Sequence, residues 1–184
     1  LGPVPMPSET FRTIGIDPGS RVTGIGVVET RGQSLHYIHS ECVRVGAGPL
    51  GARLVAIRQR IQAVIDRFQP ASGAIEKVFV SANPQSALVL GQARGSALLA
   101  LAQSELEISE YSALEIKRAI TGTGRAGKEQ VQHMVRVLLG MDRKPAQDAA
   151  DALACAICHL HHAESRLRQT VAGVSVLAED AGSA

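Results

Sequence analysis

The chain has 184 residues, an apolar share of 45%, a charged share of 20% and a formal net charge of +2. Such a length and balance suit one soluble globular domain with a core large enough to need no covalent staples. They exclude a strongly basic chain, so any nucleic-acid partner must be met by Lys and Arg gathered on one face.

Aromatics are scarce, with three Phe, two Tyr and no Trp, so the core must be aliphatic. Cys42, Cys155 and Cys158 are too few, and odd in number, for a disulfide framework. They fit a reducing, cytoplasmic setting. No apolar run reaches the length of a membrane span, and no secretory signal appears. Leu1 to Pro5 reads as an expression remnant ahead of a natural start at Met6. The folded domain is expected over 12–166, with 1–11 an extension.

In chain order, 12–17 and 22–30 read as strands and 33–45 as a third extended run. Between the first two stands Asp17-Pro18-Gly19, where proline fixes its own φ and glycine supplies the turn. The opening is thus an antiparallel meander. Leu50, Leu54, Ile57, Ile61, Val64 and Ile65 recur at helical spacing up to Phe68. A short strand is expected over 74–79. Ser81 or Asn83 then caps a helix over 84–103 that is apolar nearly all round. A helix without a polar stripe must be covered on more than one side. It is either sandwiched within its own domain or covered by a second subunit. A strand at 107–111, a helix at 112–121, a glycine-bearing loop and an amphipathic helix at 128–139 follow. Pro145 opens a last helix expected to run to about His162, and 167–184 read as a flexible tail. This order predicts an α/β fold with a five-stranded mixed sheet, antiparallel at first and parallel later, flanked by helices. Ligands of such sheets gather beyond the carboxyl ends of the strands, where Asp17 and Glu76 fall.

The last helix starts with two further acids, Asp148 and Asp151, three residues apart among alanines and so on one face. Acids in apolar surroundings are expensive unless a cation meets them. With Asp17 and Glu76 they make four carboxylates able to hold Mg²⁺ or Mn²⁺. Two such ions about 4 Å apart activate water and stabilise a leaving oxygen in phosphodiester cleavage. Taken singly, Asp17 also suits a turn and Asp148/Asp151 also suit the positive end of a helix dipole.

Ile16-Asp17-Pro18-Gly19-Ser20-Arg21-Val22-Thr23-Gly24, Gly91-Gln92-Ala93-Arg94-Gly95, Gln130-Val131-Gln132-His133-Met134-Val135 and Asp148-Ala149-Ala150-Asp151-Ala152-Leu153-Ala154 together resemble the RuvC family of bacterial Holliday junction resolvases. The resemblance runs in order from about residue 12 to 163. It implies a ribonuclease H-like nuclease domain, a homodimer, Mg²⁺-dependent paired nicks in four-way junction DNA, and RuvA and RuvB as branch-migration partners. It also implies that Asp17, Glu76, Asp148 and Asp151 are the catalytic, metal-holding acids. Lys117 and Lys128 are implied to stand near the scissile phosphate, and Phe79 to contact a base. Arg94 and Arg125 are further expected phosphate contacts. Read alone, each lysine also suits a solvated helix position, and Phe79 a core.

Three other readings compete. Cys155, Cys158 and His159 resemble a zinc or redox motif, but no second cysteine pair completes a tetrahedral site. Asp17-Pro18-Gly19 also resembles the phosphate loop of actin-like and sugar-kinase folds, which need two such domains. A non-catalytic junction-binding module would not need four intact acids.

Overall fold

Alternation along the strands decides which side of the sheet carries chemistry. The computed structural model describes residues 10–77 and 83–180, with side chains up to residue 166. Strands β1 (Phe11–Asp17), β2 (Val22–Arg31) and β3 (Ser34–Arg44) form the expected meander. After helix α1 (Leu50–Phe68), strand β4 (Ser72–Glu76) returns beside β1 and parallel to it. Helix α2 (Pro84–Gln103) then leads to β5 (Glu107–Tyr111), parallel to β4. The sheet order is β3-β2-β1-β4-β5. Helices α3 (Ala113–Thr121), α4 (Lys128–Leu138) and α5 (Gln147–Asp180) complete the chain. No helix among the described residues is long and apolar enough to cross a membrane.

Successive side chains of a strand point to opposite faces. Ile14, Ile16, Ile25, Val27 and Ile75 face one way and form a core with Ile57 and Ile61 of α1 and Ala97 and Leu101 of α2. Val28, Ala74 and Tyr111 face the other way, against Ile116 of α3, Val135 of α4 and Leu153 and Ile157 of α5. Two helical layers thus sandwich one sheet. Asp17 has the parity of Gly15, and Glu76 that of Ala74, so both acids belong to the α5 side.

Local signals explain the element ends. Asn83 caps α2, its Oδ1 accepting from the Gln85 and Ser86 amides at 3.0 and 3.3 Å. Ser112 and Glu115 form a reciprocal capping box at α3. Gly122, at φ 75°, closes α3 in the left-handed conformation that glycine takes without strain.

Two boundaries differ from those expected. The fourth strand lies at Ser72–Glu76 rather than 74–79; Phe79 falls outside the described residues. The last helix does not stop near His162 but continues to Asp180, into the stretch expected as a tail. No proline follows Pro145, so the sequence carries no strong helix breaker before Asp180 although the apolar periodicity has faded.

Candidate active site

The site is built where α5 presses on the carboxyl ends of β1 and β4. Its closeness comes from glycine. A β-carbon on Gly15 would lie 2.1 Å from the carbonyl oxygen of Ala152, and one on Gly26 2.7 Å from the amide nitrogen of Leu153. Gly15 and Gly26 are paired across β1 and β2, and Gly24 is paired with Asp17. No side chain stands between these strands and the helix backbone, so the alanine-rich start of α5 settles onto the sheet. Asp148 and Asp151 are thereby carried to Asp17.

Glu76 arrives from the other side. Ile16 and Ile75 are register partners in the parallel β1–β4 pair, which places Asp17 and Glu76 at neighbouring strand ends. The turn after Asp17 is fastened twice. Thr23 Oγ1 donates to the Gly19 carbonyl at 3.2 Å, and the Arg53 guanidinium of α1 donates to the Ser20 carbonyl. A β-carbon on Gly19 would fall 1.9 Å from the Val22 carbonyl oxygen, so only glycine fits this turn.

The charges of the other three acids all act on Asp17. Burial and then the charges of Glu76, Asp151 and Asp148 push the Asp17 carboxyl up to about 8, against a smaller lowering by Lys128. Burial, then Asp151, raises Glu76, with Lys128 and Lys117 acting the other way. Burial also raises Asp151, partly offset by Gln147, Lys128 and Lys117. The Gln147 amide donates to both Asp151 oxygens, at 3.0 and 3.2 Å. Lys117, on α3, and Lys128, the first residue of α4, are therefore the cations that the acids feel.

Four oxygen-bearing groups under mutual repulsion, one held mostly protonated near neutrality, are a donor set that suits a hard divalent cation. The side chains are not drawn into a tight cage: among the described residues no three His, Cys, Asp or Glu side chains stand close enough together to grip an ion. The donor chemistry fits Mg²⁺ or Mn²⁺.

The remaining expected residues fall apart from this group. Arg125 is exposed on the loop before α4. Arg94, expected at phosphate, is tied into the protein: its Nε donates to the Glu76 carbonyl at 3.4 Å, and its guanidinium pairs with Glu110. Cys155, Cys158 and His159 are buried. The His159 ring meets the Tyr111 hydroxyl at 3.0 Å, and burial pushes the Cys158 thiol up to about 12. Buried thiols held protonated suit packing better than metal ligation or redox exchange, and no metal-holding group forms around them among the described residues.

Sequence reading passed over Gln147 and the glycine track. The track had a signal: Gly24 and Gly26 alternate on one strand face, and only a small-residue helix can match such a face. Gln147 had none, because its value depends on the rotamer that Asp151 takes.

A profile of the family described as crossover junction endodeoxyribonuclease RuvC matches residues 13–159. The crossover junction endodeoxyribonuclease RuvC of Marinobacter nauticus is 50% identical over 163 residues, covering 89% of this chain and 93% of the relative. The Thermus thermophilus RuvC structure superposes with a TM-score of 0.78 at 33% identity, covering 84% of this chain and 96% of that one. T. thermophilus RuvC in complex with Holliday junction substrate gives 0.79 at 34% identity, over 83% and 94% of the two chains.

Proposed function

This chain belongs to the crossover junction endodeoxyribonuclease RuvC family, and from that membership we propose that it resolves Holliday junctions by paired, metal-dependent nicks. The observation that carries the proposal is the electrostatic coupling of Asp17 to Glu76, Asp148 and Asp151 at one edge of the sheet. Asp17, Glu76, Asp148 and Asp151 would hold Mg²⁺, with Mn²⁺ as a substitute and two ions per site. Bound there, the metal supplies Lewis-acid charge that makes water nucleophilic and neutralises phosphate oxygens.

The chain's own residues supply the rest. Asp17 is held at the strand tip by the Gly19 turn, within reach of a backbone laid over the sheet edge. Gln147 fixes the orientation of Asp151. Lys128 and Lys117 offset charge building up on the phosphate. Arg125 lies on the same loop-and-helix entry as Lys128 and suits the DNA backbone. Phe79 is the candidate for stacking on an unpaired base.

Symmetric cutting of a two-fold junction needs two sites related by a two-fold axis. A homodimer is supported by the outer face of α2, where Leu88, Gly91, Gly95, Leu99 and Ala102 form an exposed stripe at helical spacing. No described residue fills the space above Gly91 and Gly95, so a partner backbone could approach closely. RuvA and RuvB as partners, and action in the bacterial cytoplasm, follow from the family.

The test is nicking of a synthetic four-way junction by wild type and Asp17→Asn, with and without Mg²⁺. The wild type should nick opposed strands only with metal, and Asp17→Asn should bind the junction without cutting it. Full-rate nicking in excess EDTA would refute the metal-dependent reading.

A further inference from the structure

Arg94 sits on α2, on the face of the sheet away from the four acids. Yet it touches the strand end that carries one of them. Its Nε donates to the backbone carbonyl of Glu76 at 3.4 Å. Its terminal nitrogen pairs with the carboxylate of Glu110. Glu110 lies on β5, where Ile75 is its register partner, and Glu76 is paired with Tyr111. The Lys77 amide donates to the Tyr111 carbonyl at 2.7 Å, the last rung of this ladder. One planar guanidinium therefore joins α2, β4 and β5 at the rung beside Glu76. A fork of fixed geometry can bridge two acceptors in a way that a lysine ammonium cannot.

The parity of the sheet explains why this matters. The Glu76 side chain points to the α5 side, where Asp17 and Asp151 repel it, while Arg94 holds its backbone from the α2 side. A strand end loaded with like charges is pushed outward by them. A tie from behind resists that push without entering the site.

We propose that Arg94 is a positioning residue for Glu76, acting through the Glu76 carbonyl and the Glu110 carboxylate, rather than a contact to DNA phosphate. The proposal rests on the reading of Glu76 as a metal-holding acid. Residues that orient metal ligands change metal affinity or activity by about 10–100-fold when removed.

The test compares Arg94→Gln, Arg94→Lys and Glu110→Gln with wild type. Junction affinity is measured without divalent metal, Mn²⁺ binding to the free protein by calorimetry, and single-turnover nicking across a Mg²⁺ titration. Hydrogen exchange at the Lys77 amide reports the strand end directly. Arg94→Gln should leave junction affinity within about twofold and weaken Mn²⁺ binding about tenfold. It should also speed Lys77 exchange and shift the Mg²⁺ midpoint upward. Arg94→Lys should recover only part of this. Glu110→Gln, which leaves the arginine in place, should move every readout the same way by less. The opposite pattern overturns the proposal: Arg94→Gln weakens junction binding tenfold or more at unchanged Mn²⁺ affinity, and Glu110→Gln binds junctions as well as wild type or better. If Arg94→Gln fails to fold, Glu110→Gln decides alone on the same readouts. A wild type with no metal dependence would instead sink the reading of the four acids, an outcome visible before any variant is compared.

Discussion

A β-carbon on Gly24 would lie 1.9 Å from the carbonyl oxygen of Asp148. That is far inside van der Waals contact, and the atom it meets is helix backbone, which cannot rotate away. Gly24→Ala must therefore lift the start of α5 or distort β2. Overpacking of this kind costs about 1–3 kcal/mol. Its larger effect falls on function, because the displaced turn carries Asp148 and, one turn later, Asp151. Gly24→Ala should lower the unfolding midpoint and reduce single-turnover nicking by at least about tenfold, since small misplacements at such sites are costly. Gly51→Ala, exposed on the first turn of α1 with open space around it, serves as the contrasting glycine in the stability measurement. Equal unfolding midpoints for both variants would contradict the close packing.

Asp17→Asn should stabilise the metal-free protein while abolishing cleavage. The folded carboxyl is raised to about 8 from an ordinary value near 4 by burial and by Glu76, Asp151 and Asp148. A raised acid stabilises the fold fully below its unfolded pKa and loses that contribution as pH climbs to 8. The wild type thus carries a growing penalty between about pH 4 and 8 that asparagine avoids. Calorimetry in EDTA should show the variant's midpoint pulling ahead as pH rises, by about 2–4 °C for each kcal/mol recovered. A gap independent of pH would show that Asp17 is not strained in this way.

Lys128 begins α4 next to the acids and lowers the pKa values of Asp17, Glu76 and Asp151. Lys128→Ala should slow the single-turnover chemical step by about 10²-fold or more, as loss of a transition-state charge donor does. Junction affinity should fall far less. A variant whose binding collapses while its bound complex cuts at the normal rate would reassign Lys128 to docking.

Leu99 is 50% exposed in the middle of the outer stripe of α2. If that stripe is the seam between two copies, Leu99→Glu buries two charges face to face. Sedimentation should then show monomers. Cutting of a junction should change from paired to unpaired nicks, while the fold stays intact because the side chain lies outside the core. An unaltered dimer would move the seam elsewhere.

Glu29, far from the acids at the opposite end of the sheet, tests the fold alone. Burial raises its carboxyl, but hydrogen bonds from Arg31 and Arg12 outweigh this and hold it below the ordinary range. The bond from Arg31 measures 2.7 Å. A depressed acid stabilises above its unfolded pKa and loses that contribution as pH falls through its folded one. Glu29→Gln should cost about 1–3 kcal/mol at pH 7, between the values for exposed and buried pairs. The difference from wild type should shrink as pH falls below the ordinary carboxylate range and through the lowered folded value, measured by urea unfolding.

Much of this architecture was legible in the residue order. Asp17-Pro18-Gly19 marks a strand that stops abruptly, and the structure places the stop there because the Gly19 turn is too tight for any side chain. Leu50 to Phe68 and Lys128 to Leu138 carry the helical periodicity that their burial confirms. Asp148 and Asp151 among alanines point to a helix face that must meet other charge. Less was legible where the signal is not periodic. The end of α5 escaped because no proline marks a stop where its apolar stripe ends. Arg94 reads in the sequence as a phosphate contact because a sequence displays a charge and not the carbonyl it reaches.

By itself, then, the sequence determined the strands and helices, the four acids and the glycines, since periodicity, turn chemistry and residue type are local properties. Only the tertiary structure decided that Asp17 and Glu76 share the α5 side and that α5 descends onto Gly15, Gly24 and Gly26. It also directed Arg94 inward to Glu76 and Glu110. These relationships join residues far apart in the chain, through sheet register and the depth at which one helix packs, and neither is written in any single stretch.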